Sequence, residues 1–197
     1  MTARNVLIVI GHPDPSPGRL CRALADAYAE GARNAGHAVR TLDLATLEVP
    51  MLRSGTEFLD GKVPEALADA SAAIGAASHI VFVFPLWLGT MPALMKAFLE
   101  QTMRPGIAFA YPENGKGMVK TLLKGRTARV VVTMGMPAFF YRLWFLSHGV
   151  AGLRRSILNF VGIRPVRETF FGMVEGASPA RRAAWLETMR ALGTRAA

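Results

Sequence analysis

Two stretches of the chain are apolar without interruption: residues 6–10 (VLIVI) and residues 80–84 (IVFVF). Neither shows the alternation of a half-exposed strand, and both are rich in β-branched or aromatic side chains. That pattern predicts strands of a parallel sheet with helices over both faces. Residues 38–42 read as a short second strand, 129–134 as a fourth and 166–171 as a fifth. Between them the period changes to that of helices. Residues 20–35 place Leu20, Leu24, Ala27 and Gly31 on one face, with Gly36 closing the helix. A helix from Pro64 carries Leu67, Ala70, Ala73 and Ile74, and one from Pro92 carries Leu94, Met95, Phe98 and Leu99. Ser178-Pro179 caps a last helix with Trp185, Met189 and Leu192 facing inward. Strands and helices alternating in this way form a doubly wound α/β pattern.

The 80–84 strand organises the rest. Pro85 has no amide hydrogen, and Thr90, Met91 and Pro92 form a helix start, so 86–89 is a loop at the carboxyl end of a central strand. Ligands of open α/β sheets bind at that edge. Trp87 is either a lid over its own core or a flat apolar face for a planar ligand, and Gly89 lets a backbone come close. The first strand opens into GHPDPSPGR, residues 11–19, ahead of a helix. Free amides and the helix dipole make this geometry suitable for phosphate. The loop lacks the Gly-Lys-Ser/Thr of a nucleoside triphosphate site and is not G-x-G-x-x-G. His12, Ser16 and Arg19 are suitable donors to a phosphate monoester, although a histidine here serves equally well to hold a nearby carbonyl.

With 197 residues, 51% of them hydrophobic and 19% charged, the chain suits one folded domain over residues 1–197. No apolar run reaches the roughly 18 residues needed to cross a bilayer. The start MTARN has no signal pattern, so a soluble cytoplasmic protein without an integral membrane segment is expected. The lone Cys21 excludes an internal disulfide and a cysteine-rich metal site; no metal site is expected, and the thiol reads as quiet and part-buried. A net charge of +9 suits anionic ligands or a solvated basic surface; Lys and Arg are dispersed and no nucleic-acid motif accompanies them. Residues 45–63 show no strong period and read as a surface excursion. Pro105-Gly106 and Asn114-Gly115 mark turns around a small hairpin or flap. The aromatic segment from Ala138 (AFFYRLWFLSHGVAGLRRSILNFVGI) carries Arg142, Arg154 and Arg155 as a membrane-surface helix would, but Gly149 and Gly152 break its pattern, Leu153, Ile157, Leu158 and Val161 recover an ordinary helix face, and core or oligomer contact is the expected use.

Taken together, these residues resemble the flavodoxin-like NAD(P)H:quinone oxidoreductases. The resemblance rests on His12-Pro13 with Ser16, on Pro85-Leu86-Trp87 with Pro92-Ala93 and Lys96, on Gly106-Ile107-Ala108-Phe109, and on the loop after the fourth strand. It spans nearly the whole chain and implies a five-stranded parallel sheet in the order 2-1-3-4-5 with helices on both faces. It assigns the flavin phosphate to His12, Ser16, Gly18, Arg19 and Leu20, and the isoalloxazine ring to Pro85, Leu86, Trp87, Leu88 and Gly89. It places Thr133, Gly135, Met136 and Pro137 on the ring's other side, and Tyr141 and His148 near the hydride acceptor. The implied cofactor is FMN, or FAD, with FMN favoured by the short chain. The implied reaction is ping-pong hydride transfer from NAD(P)H to a quinone or similar small electrophile, in a homodimer. The alternatives are a flavodoxin-type electron carrier and an ancillary subunit docking on a membrane transport protein.

Overall fold

A computed structural model describes residues 2–112 and 116–196, so the turn expected at Asn114-Gly115 lies outside the described residues. Strands β1 (Asn5–Ile10), β2 (Ala38–Asp43), β3 (His79–Pro85), β6 (Thr127–Met134) and β7 (Val166–Gly172) form one sheet. All its neighbours are parallel, and the order is β2-β1-β3-β6-β7, the 2-1-3-4-5 arrangement expected from the sequence. A separate antiparallel pair joins β4 (Phe109–Ala110) to β5 (Lys120–Thr121), which is the expected hairpin in its smallest form.

Every residue of β3 is buried, and its side chains alternate between two cores. Ile80, Phe82 and Phe84 join Leu7 and Val9 of β1 under helices α3 (Glu65–Ala76) and α4 (Ala93–Thr102). Val81 and Val83 join Val6, Ile8 and Ile10 under α1 (Leu20–Asn34) and α7 (Pro179–Arg195). The α1–α7 contact is close because both helices carry glycine at the crossing. A Cβ on Gly31 would stand 2.0 Å from the Arg190 carbonyl oxygen, and one on Gly193 would stand 2.1 Å from that of Tyr28.

The excursion after β2 is more ordered than its weak period suggested. Leu44–Thr46 forms a 3₁₀ turn, and α2 spans Gly55–Asp60. Ser54 Oγ caps that helix by accepting the Glu57 amide at 3.1 Å, while the Glu57 carboxylate accepts the Arg53 amide at 3.0 Å. The S-x-x-E spacing of a capping box was its signal. Buried Gln101 and Arg104 of α4 and the turn after it donate to the Pro50 and Lys62 carbonyls, clamping both ends of the excursion.

The aromatic segment is core in its second half, where Val150, Leu153, Leu158 and Val161 are buried, and exposed in its first. It divides into α5 (Ala138–Leu143), α6 (His148–Gly152) and a π-helical turn over Leu153–Leu158. Leu146 and Ser147 both adopt left-handed φ, near +50°, and this pair ends α5 and turns the chain. Only Tyr141 is directed inward from α5, whereas Phe139, Phe140, Leu143, Trp144, Phe145 and Leu146 are exposed.

At the amino end of the sheet, His79 is buried between the Tyr28 hydroxyl, 2.9 Å from Nε2, and Thr127 Oγ1, 2.7 Å from Nδ1. One neutral tautomer satisfies both, with Tyr28 donating to Nε2 and Nδ1–H donating to Thr127. Burial, reinforced by Arg4 and Arg129, depresses the imidazole from 6.5 to about 3. A depressed pKa means the neutral ring stabilises the fold above pH 6.5 and that this contribution drains away as pH falls. Stability is expected to decline by about 1.4 kcal/mol per pH unit below 6.5 on this account alone. Denaturant melts of the parent and of His79→Gln across pH 7 to 4 check it; the variant should lack this slope, and parallel curves would exclude His79 as its source.

Candidate functional site

Because the five strands are parallel, their carboxyl ends share one edge, and β1 and β3 diverge there toward opposite flanks of the sheet. The loop after β1 is fixed at its root by the Gly11 amide, which donates to the Val83 carbonyl at 2.8 Å. A Cβ on Gly11 would lie 2.9 Å from Met95 Sδ, so the chain passes tightly over α4. His12 Nδ1 accepts the Asp14 amide at 3.1 Å, which places the ring proton on Nε2. Burial and the neighbouring Arg19 lower the His12 pKa, so the ring is a neutral donor.

Asp14 is the unexpected member of this loop. Its carboxylate accepts from Ser16, whose amide lies at 2.8 Å, and from Arg19 Nε at 2.7 Å. The Ser16 hydroxyl and amide, followed by Arg19, pull its pKa down to about 2. Two of the donors assigned to phosphate thus hold an internal anion. Arg22, in the first turn of α1, pairs with Asp43 at the end of β2 and donates to the Asp14 carbonyl at 2.8 Å. Its Nε is buried without a partner. The α1 amino end has no side-chain cap and no acidic residue in its first turn, Leu20 opens the helix, and the space around Gly18 is open.

The loop after β3 is a two-residue hairpin turn. Trp87 and Thr90 exchange both backbone hydrogen bonds, at 2.9 and 3.1 Å, around Leu88 with φ +48° and Gly89 with φ +80°. A left-handed leucine costs on the order of 1 kcal/mol. That strain sets the Leu88 side chain wholly in solvent, at 105% relative exposure. Trp87 is 48% exposed, so it is not a lid over its own core, and its ring meets His12 edge-on at 5.9 Å between centroids. The turn after β3 and the loop after β1 are therefore neighbours. Pro85 ends β3 with its side chain buried, and the Leu86 amide extends the ladder by one bond, to the Thr133 carbonyl at 2.8 Å.

The strand β6 contributes unevenly. Thr133 is buried, and its hydroxyl lies 3.3 Å from the Cys21 thiol beneath α1, away from the ring turn. Burial pushes that thiol up to about 11, and it is more deeply enclosed than the part-buried thiol expected from the sequence. Gly135, Met136 and Pro137 form the following loop, where the Met136 carbonyl accepts the Met173 amide at 3.2 Å.

Tyr141 is engaged from two sides. Its buried hydroxyl donates to the Gly89 carbonyl at 3.1 Å and accepts the Val150 amide at 3.3 Å. Next to it, a Cβ on Gly149 would stand 2.1 Å from the Gly89 oxygen. The ring turn and the start of α6 are thereby pressed together. Leu88, Gly89, Thr90, Met136, Tyr141, Phe145, His148 and Gly149 line an open, mainly apolar cleft of about 660 Å³. His148 is exposed at its rim. The structure thus brings the ring turn, the Met136 loop, Tyr141 and His148 into one cleft. It sets the phosphate loop beside that cleft through His12 and Trp87, and it leaves Thr133 below. Sequence reasoning missed Asp14, Arg22 and Asp43; the recurrence of arginine at positions 19 and 22, one helical turn apart, was the available signal. Among the described residues, no group of three or more His, Cys, Asp or Glu side chains is placed to hold a metal ion.

Comparison with known proteins places this geometry. Residues 4–192 match the family model described as "Flavodoxin-like fold". The chain is 32% identical over 192 residues to the FMN-dependent NADH:quinone oxidoreductase 2 of Listeria innocua, covering 87% of each protein. It is 27% identical over 187 residues to an uncharacterized NAD(P)H oxidoreductase of Haemophilus influenzae, covering 93% of this chain and 91% of the relative. In fold it is similar to the solved NAD(P)H:quinone oxidoreductase from Methanothermobacter marburgensis, with a TM-score of 0.82 at 21% identity over 98% of this chain and 97% of that one. On the family match and the bacterial relative alike, the chain belongs to the flavodoxin-like fold family whose sheet order and switch-point cleft it carries.

Proposed function

We propose that the protein is a flavin-dependent oxidoreductase that uses NAD(P)H to reduce a quinone or a similar small electrophile, with FMN as its cofactor. The observation that carries this reading is the convergence of an uncapped helix start, a strained ring turn and an apolar cleft at one switch point. The similarity to a relative named as an FMN-dependent NADH:quinone oxidoreductase supports it. The residues fit the cofactor. The buried, unpartnered Arg22 Nε, the open Gly18 and the donor edge of His12 form a cradle for a phosphate monoester at a helix amino end.

FMN supplies the two-electron redox chemistry; the chain supplies position and electrostatics. His12, Ser16, Gly18, Arg19 and Leu20 hold the phosphate, and Asp14 yields Ser16 and Arg19 to it. Trp87, Leu88 and Gly89 bear on the ring plane, and Met136 closes the other side. His148, exposed at the rim, is the residue free to donate to an acceptor oxygen. Tyr141 acts through Gly89 as a positioning residue, because both sides of its hydroxyl are already used. One cleft for donor and acceptor makes them alternate, the basis of a ping-pong pattern. A second copy completes the reading, on the apolar face where Tyr111 and Phe160 meet Phe109 at 5.4 and 4.9 Å between ring centroids.

The deciding experiment is the visible spectrum of the purified protein, with identification of any released chromophore, followed by NADH and NADPH oxidation with a quinone panel. FMN bands, quinone-dependent turnover and a two-chain mass by light scattering are expected. A colourless protein that fails to take up FMN or FAD overturns the reading, and a flavoprotein that oxidises neither nicotinamide points to an electron carrier.

Two substitutions sharpen it. Asp14→Asn keeps the loop's shape and removes the carboxylate that competes with phosphate, so FMN should bind about threefold to tenfold tighter at low salt; weaker binding measured by fluorescence titration would make Asp14 a necessary organiser instead. Tyr141→Phe deletes two hydrogen bonds and should weaken FMN about tenfold, while turnover at saturating FMN stays within about threefold. A loss near 100-fold at saturation would assign Tyr141 an acid–base role.

A further inference from the structure

The exposed side of α5 and the turn after it form one consolidated apolar knob. Phe139, Leu143, Trp144 and Leu146 are 66, 74, 74 and 65% exposed. Phe140 stacks on Trp144 at 6.0 Å with its ring nearly parallel, and meets Phe145 edge-on at 5.7 Å. Six large apolar side chains exposed within one eight-residue stretch, three of them in ring contact, call for a partner. The knob stands at the mouth of the cleft, since Phe145 and His148 line that cleft.

The charge around it selects the partner. From Gly135, where the chain leaves β6, to Leu153 the sequence contains no Asp or Glu. Arg142 lies within the knob, with its guanidinium 5.7 Å from the centre of the Phe170 ring. Arg181 shares a cavity of about 420 Å³ with Phe139 and with Met173, itself exposed. The π-helical turn that continues α6 carries Arg154 and Arg155 away from the knob toward the amino edge of the sheet, where they and Arg164 line an open cavity of about 580 Å³. The neighbouring carboxylates are Glu168, paired with Arg154 at 3.1 Å, and Glu175, near Gly135. A second copy brought onto this face would add a second set of cations to the first. An anionic lipid surface accepts Trp, Phe and Leu at its interface and neutralises the arginines beside them.

We infer that the α5 knob seats the protein on an anionic membrane surface and so opens the cleft toward quinones dissolved in the lipid. The inference rests on the quinone-reductase reading for its purpose, and on the knob and its charge for its existence. Sedimentation of the flavin-loaded protein with vesicles of phosphatidylcholine alone, or mixed with phosphatidylglycerol, tests it. Binding is expected on the mixed vesicles at low salt, with little on phosphatidylcholine and release at high salt. The double variant Leu143→Ser, Trp144→Ser should lower partitioning about tenfold or more, and Arg142→Glu should weaken binding to the anionic vesicles. The double variant should keep its flavin spectrum and its turnover of a short-chain, water-soluble quinone, and lose turnover of a long-chain quinone held in the vesicles. The inference is overturned if the parent stays in the supernatant with anionic vesicles, or if the double variant sediments as the parent does. It is also overturned if the parent is a dimer that the double variant dissolves into single chains, because a second copy then covers the knob. Vesicle binding is read without turnover, so failure with the soluble quinone counts against the reductase reading alone.

Discussion

A strand covered on both faces can offer chemistry only at its ends, and β3 is such a strand. Its seven residues are all buried, with phenylalanines on one side and valines on the other. Parallel pairing to β1 and β6 brings three carboxyl ends to one edge. At that edge the chain leaves β1 toward β2 and leaves β3 toward β6, so the two loops part and a crevice opens between them. The turn after β3, the loop after β1 and the Met136 loop are neighbours for this reason.

Much of this was legible in the sequence where local chemistry decides structure. The unbroken runs at 6–10 and 80–84 became the two central strands, and the loop that Pro85 and Pro92 bracket became the turn holding Trp87 and Gly89. The rest depended on partners that no local pattern reveals. Thr133 belongs to the right strand, but its side chain faces Cys21, because strand parity is fixed by the covering helix. Ser16 and Arg19 are in the expected loop, but Asp14 holds them through bonds that only the folded loop makes. The exposure of the α5 aromatics was not legible either, because the left-handed pair Leu146-Ser147 that turns the chain is one a sequence without glycine there does not announce.

The site also shows how a basic loop can remain ordered. Asp14 gives Arg19 a counter-ion and the Ser16 amide an acceptor inside the loop, and Asp43 gives a counter-ion to Arg22. The cations are held in place by carboxylates at the loop and at the end of β2, and the arrangement resembles an anion site filled by the chain itself. On the opposite wall, Tyr141 ties a strained turn to α6 through two hydrogen bonds. Strain of this kind persists only where surrounding contacts determine it.

The glycine crossing of α1 and α7 has a consequence at a distance. Helix α1 has 15 residues and is therefore a rod about 22 Å long. Its amino end carries the phosphate loop, and its far half is fixed by backbone contact at Gly31 and Gly193. The last helix of the chain thus serves as the footing of a lever whose other arm is the ligand loop. Truncations, fusions or tags that disturb the carboxyl terminus would therefore reach the loop after β1 as well as the core that α7 covers.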